Sequence, residues 1–345
     1  MRFGLFSLMT QRSRDGTKTI IDETLETVRL AEDIGFHTAW FAEHHFSNYS
    51  SCASPLLMAA RFAGSTKRIK LGTGVVVLPL YNPVRLIEEI GLVDAASDGR
   101  LILGLGTGYQ QYEFSKFETP FDEKIERSME LIDLIEMGLS AGELAYEGQH
   151  YRADGMPICA RPPDGRRPEI FLAGGHPALL QKAGRLGYIP LVGVGYKGSE
   201  ALARKRDELA PYFGNGHDDW PMAVQRYVYV TDDKEDARCA AREILYINRL
   251  ATSMRVNQQM LDGPMLREMP FDGEPSLEEI LENCIVGDPH LCAERLADEV
   301  RAVRPIEVCC FMQIGRMDGR RALRSMERFG GEVMPLLNRE LGIAG

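Results

Sequence analysis

The chain has 345 residues, 44% of them hydrophobic and 26% charged, an ordinary balance for a globular protein with a large core that excludes disordered, collagen-like and coiled-coil classes. Its 50 acidic residues outnumber its 40 Lys and Arg for a net charge of −10, and no basic block follows a phosphate backbone, so nucleic acid is not an expected partner. No apolar run approaches the roughly 18 residues of a membrane span, and the opening residues do not form a signal-peptide core. The seven cysteines are scattered without CxxC spacing and fit reduced thiols, so a cytoplasmic protein is expected.

In chain order, short β-branched or aromatic runs alternate with longer segments of helical period, the pattern of repeated βα units around a parallel sheet. Strands are expected at Arg2–Leu8, Thr38–Ala42, Lys70–Leu78, Leu101–Gly104, Glu169–Ala173, Ile189–Val192, Val224–Thr231 and Glu307–Met312. Helices are expected at Ile20–Ile34, Pro55–Gly64, Pro83–Ala96, Glu123–Leu139, Ala178–Leu186, Glu200–Tyr212, Lys234–Tyr246, Pro289–Val303 and Arg320–Asn338. Eight such units predict an α/β fold, a (β/α)8 TIM barrel in one domain over residues 1–345. A barrel typically takes about 250 residues, which leaves about 95 for insertions. Two Gly- and Pro-rich excursions hold most of them, Ala141–Pro168 after strand 4 and Thr252–Asp288 after strand 7, the longer one a candidate lid.

Candidate chemistry falls where these strands end. The second runs into Glu43-His44-His45-Phe46, and His is suited to proton transfer near neutral pH; one structural and one surface histidine is the plainer reading. His37, His150, His176, His217 and His290 show no HExxH-like pairing, and no metal site is expected. Gly72 and Gly74 interrupt the third strand, either to admit a flat ring or to relieve crowding. The fourth ends in Gly104-Leu105-Gly106-Thr107-Gly108, whose GxGxG spacing is a weak dinucleotide signal and a better backbone contact at a barrel mouth. After the fifth, Ala173-Gly174-Gly175-His176-Pro177 enters a helix, either as a phosphate site at its N-terminus or as a structural turn.

In their order and spacing these segments resemble the bacterial luciferase-like family of flavin-dependent monooxygenases. The resemblance rests on Met1-Arg2-Phe3-Gly4, on Ala39 through Phe46, on Gly72 through Pro79 with Asn82-Pro83-Val84-Arg85, on Asp98-Gly99-Arg100-Leu101, on Val286-Gly287-Asp288-Pro289, and on the tail from Phe329 to Pro335. It implies a barrel that takes reduced FMN (FMNH2) from a separate flavin reductase and, with O2, forms a flavin hydroperoxide that oxygenates a small, apolar, carbonyl-type substrate. His44 then corresponds to the catalytic histidine, with Glu43 beside it among the cofactor-binding residues. Thr73, Gly74 and Val75 lie under the flavin ring, with a non-prolyl cis peptide at Gly74–Val75. Gly106, Thr107 and Gly108 form the flavin-contacting loop, and Ala173, Gly174, Gly175 and His176 the phosphate loop. Light-emitting catalytic subunits carry a Cys-Arg pair where Gly106-Thr107 stands here and an Arg where Ile125 stands, so luminescence is not expected and Arg127 becomes the candidate phosphate-side cation.

The resemblance further implies a homodimer, for which the small residues of Ala53–Gly64 offer close helix approach. A deazaflavin-dependent dehydrogenase on the same barrel, a non-catalytic flavin-binding subunit and a metal-dependent hydrolase are the competing readings. Apolar residues of the second excursion (Met254, Val256, Met260, Leu261, Met265, Leu266, Met269 and Phe271) suggest an apolar pocket, or else cover the core.

Overall fold

The computed structural model describes residues 1–162, 166–214 and 219–342. All eight expected strands form: β1 (Arg2–Ser7), β2 (Thr38–Phe41), β3 (Lys70–Thr73), β4 (Leu101–Gly106), β5 (Glu169–Ala173), β6 (Ile189–Gly193), β7 (Ala223–Val230) and β8 (Glu307–Phe311). They pair in parallel in that order, and β8 returns to β1, so the sheet closes into an α/β barrel without a free edge.

The helices begin where local chemistry dictates. Ser54 and Asn82 accept the Leu57 and Arg85 backbone N–H groups at the starts of Pro55–Ala63 and Pro83–Ala96, and a proline follows each cap. Asp288 does the same for Pro289–Val303, and Ser276 with Glu279 closes a full capping box on Leu277–Asn283. Among the described residues no helix is long and apolar enough to cross a membrane.

Trp40 organises the barrel interior. It is fully buried, packs edge-on against Phe171 at 5.0 Å, and donates its Nε1–H to Glu307 Oε1 at 2.7 Å. Glycines make room for it: a Cβ on Gly72 would lie 2.4 Å from the indole, and one on Gly4 2.7 Å from its Nε1. Gly72 therefore serves packing, the crowding role, whereas Gly74 lines the cavity at the strand's end, where an added Cβ would lie 3.1 Å from the Phe6 ring.

Four boundaries differ from expectation. The third strand stops at Thr73 rather than Leu78; after a cis Gly74–Val75 bond, Val76–Val77 pairs with β4, and a 3-10 turn at Leu78–Leu80 ends the extended run. The helix from Lys234 continues to Arg255, which absorbs the start of the second excursion. The expected last helix is interrupted by a π turn at Phe329–Val333, where Gly330 packs against Ile34. A short helix at Gln111–Lys116 had no clear periodic signal.

The excursions have different destinations. Residues 141–168, apart from 163–165, which lie outside the described residues, form an antiparallel hairpin of Glu143–Glu147 with Arg152–Pro157. Glu130 pins its turn by accepting the Gln149, His150 and Tyr151 N–H groups, and the segment leads to the amino end of β5. The second excursion builds a hairpin of Leu261–Asp262 with Met265–Leu266, and Asn48 ties it down, donating its N–H to Pro264 O and accepting the Leu266 N–H at Oδ1. It thus lies on the loop that follows β2.

Candidate functional site

A cavity of about 920 Å³ lies at the carboxyl ends of the strands, a size suited to a cofactor with a small substrate. Glu43 and His44 line it from the end of β2, Gly74 and Val75 from the cis bond after β3, and Gly106, Thr107 and Gly108 from β4. Ala173, Gly174 and Gly175 line it from β5. Three expected residues stand elsewhere. Thr73 is buried beneath the wall, where its Oγ1 donates to Gly104 O and accepts the Gly104 N–H, each at 2.8 Å, stapling β3 to β4.

Arg127 pairs with Glu123 at 2.7 Å and lies over the Tyr151 ring, because its face of the helix Lys124–Ala141 turns to the first excursion rather than to the cavity. His176 caps the helix Pro177–Arg185, exposed and off the cavity wall. His217 lies outside the described residues, and among them no group of three His, Cys, Asp or Glu side chains is placed to hold a metal ion.

The two adjacent histidines have different partners. His45 Nε2 lies 2.9 Å from Glu43 Oε1, and Glu43 Oε2 accepts the Tyr81 hydroxyl at 2.9 Å and the Val77 N–H at 3.1 Å. Glu43 is thus buried but saturated, and it ties β2 to the turn after β3. His44 Nδ1 receives the Gln110 Nε2–H at 2.8 Å, with Glu113 Oε1 3.3 Å away. Glu113 also accepts the His45 backbone N–H at 2.7 Å, which fixes the loop carrying both rings.

Tyr49 and Tyr109 pack edge-on against His44 at 4.8 and 5.6 Å and hydrogen-bond to each other. Burial pushes both phenols up, so they remain neutral. Tyr227 stacks on Phe311 at 5.2 Å, and Phe6 lies 5.9 Å from Phe311. Close approach is built into the glycines of the wall. A Cβ on Gly106 would meet Val75 Cγ2 at 2.5 Å, and Gly108, at φ +72°, would press one into Phe114 and Val77. Gly175 is different, with nothing within 4 Å of its Cβ position.

Glu113, Tyr49, Tyr109, Lys205 and Arg255 on the wall, and the buried Gln110 that holds His44, were not foreseen. Tyr109-Gln110-Gln111-Tyr112-Glu113, a polar run directly after a strand's glycine loop, was the available signal for three of them. Tyr49, Lys205 and Arg255 arrive from a loop and two helices with no local motif. Ala251 and Arg255, rather than the eight apolar residues named above, bring the excursion's side of the chain to the cavity; Met254 and Leu266 are buried in the core, and Val256 and Met260 are exposed.

The luciferase-like monooxygenase family profile matches residues 1–304. An uncharacterised Sinorhizobium fredii protein is 34% identical over 99% of both chains. The oxygenase component of a flavin-dependent trigonelline monooxygenase from Acinetobacter baylyi is 27% identical over 97% of this chain and 95% of its own. Among solved structures, the oxygenating constituent of 3,6-diketocamphane monooxygenase from Pseudomonas putida, in complex with FMN, superposes with a TM-score of 0.77 at 21% identity, covering 97% of this chain and 98% of its own. The coenzyme F420-dependent tetrahydromethanopterin reductase of Methanopyrus kandleri superposes at 0.70 with 19% identity over 97% and 98%. The closed barrel and the match along most of its length lead to one conclusion: the chain belongs to the luciferase-like monooxygenase family.

Proposed function

We propose that this protein is the oxygenase component of a two-component system, using reduced FMN from a separate flavin reductase and O2 to oxygenate a small carbonyl-type organic substrate. The observation that carries the reading is the placement of His44, held by Gln110 at Nδ1, in the same cavity as the Gly74–Val75 edge. The residues present fit the group. Gly74, Val75 and Gly106 make a smooth wall for a flat ring, and the backbone at Gly174 and Gly175, open at the start of a helix, suits a phosphate. The naming of the Acinetobacter relative as an oxygenase component and the FMN in the Pseudomonas structure support the same choice.

Bound reduced FMN supplies the electrons that activate O2. His44 lines the cavity and controls the proton there, and Glu113 keeps the loop in place. Phe6, Tyr227 and Phe311 form a wall that excludes water from the reaction. The hairpin fastened by Asn48 covers the β2 loop and acts as the shield on that side.

For the homodimer, Ala59 and Ala63 of the second helix pack inward on the barrel, while Ala53 and Gly64 at its ends remain exposed. The outward candidates are Leu57 and Leu92, 66% and 61% exposed on adjacent helices. The deciding experiment for the function mixes the protein with reduced FMN, a flavin reductase, NADH and O2 across aldehydes and ketones. The expected result is oxygen consumption coupled to product. The F420-dependent reductase at TM-score 0.70 supports a second reading, hydride transfer to or from a deazaflavin, which would proceed without oxygen.

A further inference from the structure

Arg255 ends the helix Lys234–Arg255 and lines the cavity. Among the described residues its guanidinium has no carboxylate partner and no hydrogen bond; it meets the face of Tyr109, 5.5 Å from the ring centroid. The contrast with Arg249, less than two turns earlier on the same helix, is sharp, since that residue bonds both Glu274 and Glu268.

The other charges on the cavity wall are already matched. Glu43 is saturated by His45, Tyr81 and the Val77 N–H, Glu113 is engaged with His44 and the His45 N–H, and Lys205 pairs with Glu208. In a chain of net charge −10, Arg255, an exposed side chain, is thus among the described residues the cation that lines the cavity without a carboxylate. With no hydrogen bond to the described residues, its N–H groups are available, and their fork matches a planar acceptor with two oxygens. On the same cavity wall the stacked Tyr227 and Phe311 offer an apolar face of ring size.

We propose that the substrate is a small organic anion, its carboxylate held by the edge of Arg255 and its apolar body against Tyr227 and Phe311. This rests on the cavity being the oxygenase site proposed above, and it narrows the substrate from neutral carbonyl compounds to those that also carry an acid group. The Tyr49–Tyr109 pair, kept neutral by burial, lies beside the guanidinium and places no competing negative charge there.

The test measures binding directly, so that it does not depend on turnover. Benzoate, phenylacetate and cyclohexanecarboxylate are titrated calorimetrically into the protein against benzamide, phenylacetamide and cyclohexanecarboxamide, with FMN titrated separately. At least one acid is expected to bind about tenfold or more tighter than its amide. Arg255→Gln should erase that preference, Arg255→Lys should keep part of it, and neither should alter FMN affinity. Equal binding of acids and amides, absence of binding by every acid, or an unchanged preference in Arg255→Gln would overturn the proposal. Loss of FMN affinity in Arg255→Gln would also overturn it, assigning the guanidinium to the cofactor instead. Failure of FMN to bind the unaltered protein, with the acid preference intact, would count against the flavin reading alone.

Discussion

The His45 imidazole Nε2 lies 2.9 Å from Glu43 Oε1, whereas the neighbouring His44 is held only through Nδ1 and lines the cavity. Adjacent histidines on one loop have thus divided into a structural ring and an available one. Replacing His44 with Ala should spare folding and FMN binding and lower coupled product formation by about 10²-fold or more. His45→Ala removes the partner of a buried carboxylate and should lower Tm. Stopped-flow product yield and calorimetric unfolding separate the two; normal coupling in His44→Ala would remove that residue from the chemistry.

The turn before Pro177 can be tested without disturbing the barrel. Gly175→Ala should leave Tm unchanged, because nothing lies within 4 Å of the added Cβ. Gly175→Asp should weaken FMN binding by about tenfold or more through repulsion of the phosphate. Unchanged affinity in a fluorescence-quenching titration would make this a structural turn only.

Gly72 and Gly64 make a matched pair for packing. A Cβ at Gly72 would sit 2.4 Å from the Trp40 ring, and Gly72→Ala should cost about 1–3 kcal/mol. Gly64 has a right-handed conformation, φ −71°, and nothing nearby, so Gly64→Ala should be neutral or stabilising by up to about 1 kcal/mol. Chemical denaturation of both variants reads the difference.

Glu32 gives a pH signature. Burial alone would raise its carboxyl, but the Arg68, Ile69 and Lys67 backbone N–H groups outweigh that and hold it below the usual carboxylate range. A carboxyl depressed in the folded state stabilises above its unfolded value of about 4.3, and that stability is lost as pH falls through the folded value. Glu32→Gln should therefore destabilise by about 1 kcal/mol at pH 7, with the gap to the parent closing below about pH 4. Thermal melts across that range check the sign.

Thiol labelling tests the packing of the strands. Burial pushes the Cys284 and Cys292 thiols up to about 12 and raises Cys52, Cys309 and Cys310 as well. At pH 7.5 a disulfide reagent should modify Cys159 quickly and Cys239 more slowly, and reach the other five only in denaturant. Rapid reaction of all seven would contradict this core.

Strands such as β2, β4, β5 and β8 were legible in the sequence because they are buried on both faces and read as short, largely apolar runs. Glycines after β3, β4 and β5 also marked three parts of the cavity wall by themselves, since close backbone approach needs Gly whatever surrounds it. Thr73 and Arg127 were misplaced for a simple reason: proximity in sequence does not say which way a side chain turns, and one points into a strand seam and the other toward the first excursion. The same limit hid Gln110 and Arg255. Local pattern determines which segments become strands and where glycine is required. Only the closed barrel, by bringing a helix end from residue 255 over the loop at residue 109, decided which histidine lines the cavity and which cavity cation lacks a carboxylate among the described residues.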